Sequence, residues 1–325
     1  MKWEGRRQSS NVEDRRGSGG GYGGMGGGGG LGDIFGGGMS RRGGFPLPGG
    51  SSGVRSGGMG LGTIVIIGLV AWFVFGINPL QLLGGMLGGS LGGPSSGYTQ
   101  TQSASPMSRA DQDQAYQFAA TVMADTEDVW TALFKSGGQT YRAPTLVIYS
   151  GATDTACGTG QAAMGPFYCP GDQKVYLDLD FFSELATRFG AAGDFAQAYV
   201  IAHEVGHHVQ TLLGTSSRVA QARAGASEEE ANALSVRQEL QADCYAGVWA
   251  HHAQRMEAIL EPGDLEEALQ AASAVGDDTI QRKSTGRVVP DSFTHGSAAQ
   301  RQRWFKTGFE TGSVNACDTF SVANP

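Results

Sequence analysis

The amino-acid sequence predicts an α+β domain, mostly helical with a small sheet, preceded by a disordered tail and one transmembrane helix. Three observations support this prediction. Residues 1–60 are rich in Gly, Ser and Arg and poor in apolar residues. Residues 61–77 are apolar and uncharged, and residues 109–317 alternate helix-capping signals with two short β-prone segments. The folded domain, residues 109–317, is therefore expected after the membrane segment and before a short C-terminal tail, residues 318–325.

The N-terminal third of the chain is unlike the rest. Residues 1–60 cannot bury enough apolar surface to offset the entropy lost on ordering, so a disordered tail is expected. Residues 61–77 reach the lower length limit of a transmembrane helix, about 17 residues. A buried helix of a soluble domain is the alternative, and a cleaved signal peptide is disfavoured because the apolar stretch begins far from the start. The Gly-, Ser- and Pro-rich residues 78–108 then form a flexible linker.

The positions of the charges predict how this segment is oriented in the cell membrane. Arg41, Arg42 and Arg55 precede the apolar stretch, and the first charged residue after it is Arg109. Positively charged residues close to a membrane span stay on the cytoplasmic side. The sequence therefore predicts a single-pass protein with a cytoplasmic tail and a periplasmic or extracellular domain.

Capping residues and apolar patterns divide the domain into helices and strands. Two β-prone segments are expected to form an inner strand, residues 144–150, and a strand beside the functional cleft, Lys174–Asp178. Helices are expected at about residues 108–135, 194–213, 228–255 and 298–310, and one more is expected to begin at Asp264.

The second of these helices carries the residues His203-Glu204-Val205-Gly206-His207. Positions i and i+4 share one face of a helix, so His203 and His207 can bind one metal ion. Zn²⁺ lowers the pKa of a water molecule that it binds, and Glu204 is placed to take the proton as general base. The alternative is a helix with two incidental histidines. It would leave buried imidazoles and a buried carboxylate without partners, which is costly.

A third metal ligand is expected on the next helix. Ser227 and Glu230 form a capping box at its start, and Glu239 and Asp243 follow at positions i and i+4. Glu239 can complete a site for one Zn²⁺ per chain, because a catalytic zinc usually has three protein ligands. Asp243 can accept the other ring N–H of a ligating imidazole, with His203 the better placed. The alternative, two solvated surface carboxylates, is disfavoured by their apolar neighbours in the helix.

The spacing of these motifs resembles that of gluzincins, in which a His-Glu-x-x-His helix is completed by Glu-x-x-x-Asp. HEVGH at 203–207 and ELQAD at 239–243 are most similar to the bacterial "putative neutral zinc metallopeptidase" family. Further similarity lies in residues 157–169, 175–178 and 294–297, and it extends over roughly residues 110–317 and to a Gly/Arg-rich N-terminus with one membrane span. The resemblance implies a zincin-like fold and a zinc peptidase. It does not imply a substrate.

His295 and Arg301 resemble a His-x5-Arg segment that follows the zinc helices in membrane-associated gluzincins. That pattern has Pro after the His, where this chain has Gly296. A His or Arg beside the metal can stabilise the oxyanion that forms during hydrolysis, which makes His295 a candidate catalytic residue and Arg301 a second candidate. The alternative is structural. Ser297 and Gln300 form another capping box, and His295 would then be an ordinary loop residue before the helix.

Four cysteines, Cys157, Cys169, Cys244 and Cys317, all lie in the part of the chain predicted to be exported. An even number in an oxidising compartment indicates disulfides, and three pairings are possible. Cys157–Cys169 and Cys244–Cys317 are favoured, because the first closes the loop before Lys174–Asp178 and the second ties the chain's end to the second metal helix. A cysteine ligand to zinc is a weaker alternative.

These observations together favour a membrane-tethered zinc peptidase that hydrolyses a peptide or protein substrate, with endopeptidase preferred over aminopeptidase. Two alternatives stay open. One is a non-catalytic envelope protein that uses the same zinc fold for structure or binding, although such a site would not need Glu204. The other is a zinc hydrolase of a non-peptide amide. The net charge of −8 gives no reason to expect nucleic acid as a partner.

Overall fold

A small sheet and a layer of helices make up the fold in the computed structural model, which describes residues 1–17 and 107–325. The strands are β1 (Val12–Asp14), β2 (Thr145–Tyr149), β3 (Ala152–Thr155), β4 (Gly158–Gln161), β5 (Phe167–Cys169) and β6 (Lys174–Asp178). The helices are α1 (Arg109–Ser136), α2 (Asp180–Thr187), α3 (Asp194–Leu212), α4 (Thr215–Arg223), α5 (Glu228–Glu257), α6 (Asp264–Ala274), α7 (Asp277–Thr285) and α8 (Ala298–Thr311).

Four strands form the main sheet in the order β1-β2-β6-β5. β1 and β6 both run parallel to β2, and β5 runs antiparallel to β6. Alternate residues of β2 point to opposite faces. Leu146 and Ile148 pack into the large helical core, whereas Val147 and Tyr149 join a smaller cluster on the other face. The hairpin of β3 and β4 forms a second, two-stranded sheet.

The predicted helices are present at nearly the expected bounds. Ser108, Ser227 and Ser297 each cap the start of a long helix, and the last two form complete capping boxes. These starts were predictable because a capping box is a local pattern of side-chain and backbone hydrogen bonds. The α+β prediction, mostly helical with a small sheet, is therefore confirmed for the described residues.

The prediction for the strand beside the functional cleft is wrong. Lys174–Asp178 is a strand, but it lies inside the sheet between β2 and β5. The edge is β5, whose Tyr168 ring packs edge-on against the His208 ring of α3, with centroids 5.5 Å apart. The three-residue β5 gave too short a pattern in the Gly-rich loop to be recognised as a strand.

The two favoured disulfides are both formed in the structure. Cys157 is bonded to Cys169, and Cys244 to Cys317. The second bond fixes the end of the chain to the middle of α5. Residues 318–325 are consequently not a separate tail: Thr319 is fully buried, and its hydroxyl donates to the Arg237 carbonyl at 2.6 Å.

The prediction of a disordered tail over residues 1–60 is wrong for residues 1–17. β1 pairs with β2, and the Lys2 and Ser9 amides donate to the Ile259 and Ala120 carbonyls at 2.8 and 2.9 Å. The Met1 ammonium lies 2.6 Å from the Asp194 carboxylate at the start of α3. The sequence suggested disorder because this short segment obtains its hydrogen bonds from distant parts of the chain.

The docking of residues 1–17 has a consequence for membrane topology. β1 and β2 can pair only if both lie on the same side of any membrane. The predicted arrangement, with the N-terminus in the cytoplasm and the domain outside, places them on opposite sides. The pairing is therefore incompatible with one membrane crossing between them. The predicted span, residues 61–77, lies outside the described residues, and no helix within 1–17 and 107–325 is long and apolar enough to span a membrane.

Arg6 provides a test of this docking, because its guanidinium lies 2.6 Å from the buried Asp125 carboxylate of α1. Burial raises the pKa of Asp125 to about 6, although Arg6 acts in the opposite direction. A carboxyl with a raised folded-state pKa contributes stability at low pH that is lost as pH rises through that value. Without Arg6 the pKa rises further, so the loss at high pH increases.

We predict that Arg6→Ala in the full chain lowers the free energy of unfolding by about 3 kcal/mol at pH 8 and by clearly less at pH 5. Urea unfolding at both pH values measures the difference. Arg7→Ala is the matched control. The Arg7 side chain is exposed where it contacts Glu127 and Asp128, so losing these ion pairs should lower the free energy of unfolding by at most about 1 kcal/mol. Equal, small effects of both substitutions would show that residues 1–17 are not docked.

Candidate metal centre

α3 and α5 approach each other closely at the HEVGH segment. A Cβ atom placed on Gly206 would lie 2.9 Å from the Ala242 carbonyl oxygen and 3.1 Å from the Ala242 Cα. Any larger residue would therefore push the two backbones apart. This contact brings the face of α3 that carries His203 and His207 against the face of α5 that carries Glu239.

The three predicted ligands converge at this contact. The His203 Nε2 atom lies 3.2 Å from one Glu239 carboxylate oxygen, and the His207 Nε2 atom lies 3.4 Å from the other. One ligand atom from each of the three residues can be chosen so that all lie within 4.8 Å of one another. Ligands of a tetrahedral zinc ion at 2.0–2.1 Å are separated by roughly 3.3 Å, so this donor set fits Zn²⁺.

The other ring nitrogen of each imidazole is held by a hydrogen bond. His203 Nδ1 lies 2.8 Å from Asp243 Oδ1, as the sequence predicted for Asp243. His207 Nδ1 lies 2.9 Å from the side-chain oxygen of Gln210. Both partners accept, so each Nδ1 carries its proton and each Nε2 presents a lone pair to a metal.

Asp243 is the centre of a buried charge network. Arg301 donates through Nε to Oδ2 at 2.8 Å and through Nη2 to Oδ1 at 2.9 Å, and the Tyr199 hydroxyl donates to Oδ1 at 2.5 Å. Burial opposes the ionisation of Asp243, but Arg301 and His203 outweigh it and hold the pKa of Asp243 below its ordinary value. Asp243 is therefore a carboxylate that fixes the orientation of His203.

The sequence made Arg301 a candidate for stabilising the oxyanion, but the structure shows it in a different role. Its side chain is only 5% exposed and binds Asp243, and its Nη2 atom lies 3.4 Å from His203 Nδ1, the ring nitrogen that does not face Glu239. It also donates to the Tyr199 hydroxyl at 3.2 Å. Arg301 is thus a positioning residue that acts through Asp243 and His203. The six-residue spacing from His295 gave no indication of this partner, which is 58 residues away in the chain.

Glu204 is buried between His203 and His207 on α3, and its carboxylate forms no hydrogen bond within the described part of the chain. Burial raises its pKa, while His203 and His207 act in the opposite direction. A carboxylate without a protein partner beside a metal site has its acceptor oxygens available to a water molecule. This is the property that the general-base role requires.

His295 lies at the edge of the same site with its side chain 51% exposed. The Asp277 carboxylate fixes it, accepting from the His295 amide at 2.6 Å and lying 3.2 Å from Nδ1. Partial removal from water lowers the pKa of His295, but Asp277 and Glu239 raise it by more. The neighbouring Gly296 packs on Val236 and Leu240 of α5, with a Cβ there only 3.1 Å from Leu240, so the loop that carries His295 lies on the helix that supplies Glu239.

Two contributors were missed in the sequence, Gln210 and Tyr199. Both follow helical spacing: Gln210 is three residues after His207, and Tyr199 is four residues before His203. That spacing indicated which side chains share a face of α3. It could not indicate partners that lie on other helices. Gln210, for example, also donates to the Gln238 carbonyl of α5 at 2.7 Å.

Comparison with known proteins gave one family and several relatives. The family described as "Putative neutral zinc metallopeptidase" matches residues 1–320. "Uncharacterized protein YpfJ" of Escherichia coli (strain K12) is 49% identical over 322 residues, which cover 98% of this chain and 99% of that protein. "Uncharacterized protein Rv2575" of Mycobacterium tuberculosis (strain ATCC 25618 / H37Rv) is 49% identical over 206 residues, which cover 60% of this chain and 67% of that protein. No solved structure was found to match the chain.

The contact between Gln210 and His207 predicts the effect of Gln210 on metal affinity. Gln210→Ala removes the acceptor for Nδ1–H and should weaken zinc binding about 10- to 100-fold, measured by competition with a chelator. Gln210→Glu keeps an oxygen acceptor and should retain most of the affinity. Gln270→Ala, which changes an exposed glutamine of α6, is the control. Unchanged affinity in Gln210→Ala would exclude a role for this side chain in orienting His207.

Proposed function

Because the chain belongs to the "Putative neutral zinc metallopeptidase" family, we propose that it is a zinc-dependent peptidase with Glu204 as its general base. The observation that supports this best is the position of Glu204. It is buried on α3 directly after His203 and three residues before His207, and its carboxylate has no hydrogen-bond partner among the described residues. A purely structural zinc site does not need such a carboxylate.

The side chains divide the chemistry between them. His203, His207 and Glu239 would hold one Zn²⁺ per chain, which when bound would activate a water molecule and polarise the substrate carbonyl. Glu204 takes a proton from that water and later gives it to the leaving amine, so the carboxylate is regenerated in each cycle. Asp243 and Gln210 keep the two imidazoles in the tautomer and orientation that metal binding requires.

The substrate strand is proposed to be β5, because it is the edge of the main sheet nearest to α3. An extended peptide can add to such an edge by main-chain hydrogen bonds, and alternate side chains then point towards the site. Recognition through the main chain favours a peptide over a small amide. The edge position of β5 therefore supports the proposal of peptide hydrolysis over hydrolysis of a non-peptide amide.

His295 is proposed to stabilise the oxyanion that forms when the peptide carbonyl is attacked. The Asp277 carboxylate holds the imidazole in place and favours its charged form. A cation that is already oriented before the reaction costs no reorganisation when negative charge develops. Its exposure leaves it accessible to a bound substrate.

The central prediction concerns Glu204→Gln in the full chain. This variant should bind zinc as the wild type does, because none of the metal ligands is changed, and should cleave an unfolded protein such as reduced casein at least about 100-fold more slowly. Glu228→Gln, at the exposed start of α5, is the control and should cleave normally. Metal content and gel-based cleavage rates measure both effects.

The other outcomes of this experiment distinguish the alternatives. Zinc binding without cleavage by the wild type would favour a binding or structural protein, or a hydrolase of a non-peptide amide. An absence of zinc in all forms would reject the assignment of His203, His207 and Glu239 as ligands. Equal cleavage by Glu204→Gln would reject Glu204 as the base.

His295→Gln should lower kcat about 100-fold and leave zinc content and KM nearly unchanged. The pKa of His295 lies above its ordinary value, and the charged imidazole is lost as pH rises through that raised pKa. The wild-type rate should therefore fall at high pH with a step that His295→Gln lacks, and Asp277→Asn should move the step to lower pH. A pH–rate profile that is identical in wild type and His295→Gln would contradict this role.

A further inference from the structure

A pocket of about 220 Å³ lies directly beside the metal ligand His207. Its walls come from β5 and the loop after it, from α4 and from α5: Tyr168, Pro170, Ser216, Val219, Ala220, Arg223 and Gln238. Sites for small-molecule ligands usually measure roughly 300–1,000 Å³, so this pocket suits a single side chain or chain end rather than a whole ligand.

The polar side chains of the pocket include one cation, and all of them can donate a hydrogen bond. Arg223 supplies an exposed guanidinium and Gln238 a half-buried side-chain amide, and neither side-chain group makes a hydrogen bond or ion pair within the described part of the chain. Ser216 adds a hydroxyl, shared with Thr211 at 3.3 Å. The pocket lining includes no carboxylate. In a chain of net charge −8, a pocket that contains a guanidinium and no carboxylate is complementary to a carboxylate.

The pocket and His295 flank the metal ligands on opposite sides. Gly296 lies over Val236 and Leu240, so the His295 loop covers that face of α5. At 100° per residue, Glu239 falls on α5 between this face and Gln238, which lines the pocket. A peptide bound along β5 across the metal ligands would thus place a residue next to the scissile bond in the pocket.

We propose that this pocket is a specificity subsite that binds a carboxylate of the substrate through Arg223 and Gln238, with its apolar part against Val219 and Tyr168. The inference rests on the proposed peptidase function. The carboxylate has two possible sources. An internal Glu or Asp would make the protein an acid-selective endopeptidase, and the free C-terminal carboxylate would make it a carboxypeptidase.

The test is to digest a defined set of synthetic peptides with the full-length zinc-loaded protein and to identify the products by mass spectrometry. Each peptide is made with either Glu or Gln next to the candidate bond, and each of these is made with either a free or an amidated C-terminus, which gives four forms. The wild type should cleave the favoured form about 10-fold or more faster than its uncharged counterpart. Dependence on internal Glu identifies an endopeptidase, and dependence on the free C-terminus identifies a carboxypeptidase.

Two variants distinguish an effect of the pocket on substrate preference from an effect of the overall charge of the protein. Arg223→Glu should abolish the preference for a carboxylate and favour peptides with Lys at the same position. Arg218→Glu makes the same change of charge on the same helix, but its guanidinium is bound to Thr215 and Leu213 outside this pocket, so the preference should persist.

The outcomes distinguish failure of the subsite from failure of the function. Cleavage by the wild type without any carboxylate preference, or an equal change in both variants, would overturn the subsite and leave the peptidase function intact. An absence of cleavage of every peptide by wild-type protein that contains zinc would overturn both.

Discussion

The close contact between α3 and α5 at Gly206 is the constraint on which the site depends. The two backbones are near enough that a Cβ at Gly206 would meet Ala242 at 2.9 Å. At a wider separation Glu239 could not reach the Nε2 atoms of both histidines, and Asp243 could not reach His203 Nδ1. One glycine, placed inside the metal motif itself, thus sets the distance between the two helices that supply all three ligands.

Burial of the charged Asp243 carboxylate costs free energy, and contacts with neighbouring side chains offset that cost. Asp243 is fully buried, and an isolated buried carboxylate would take up a proton rather than remain ionised. Arg301 prevents this by binding both of its oxygens, so Asp243 stays an acceptor for His203. α8, which carries Arg301, can supply it because α8 packs tightly on α5, where a Cβ at Gly308 would lie 1.9 Å from the Cys244 carbonyl oxygen.

The parts of this structure that the sequence predicted are those with a local pattern. Helix starts follow capping boxes, and His203, His207, Glu239 and Asp243 follow the four-residue spacing of a helix face. The parts that were missed depend on partners far along the chain. β1 looks disordered until β2 is available to pair with it, and Arg301 looks like a free cation until Asp243 is placed beside it. Composition and spacing contain no information about such contacts.

The metal site is supported by segments from both ends of the described chain. Residues 1–17 hold the start of α3 through the contact between Met1 and Asp194 and complete the sheet through β1. The Cys244–Cys317 disulfide and the hydrogen bond from Thr319 to the Arg237 carbonyl fix the part of α5 that carries Asp243. Both metal helices are therefore fixed by segments that contribute no ligand. A domain cut at residue 109 would keep every ligand and lose the support of α3, so its metal affinity would underestimate that of the whole protein.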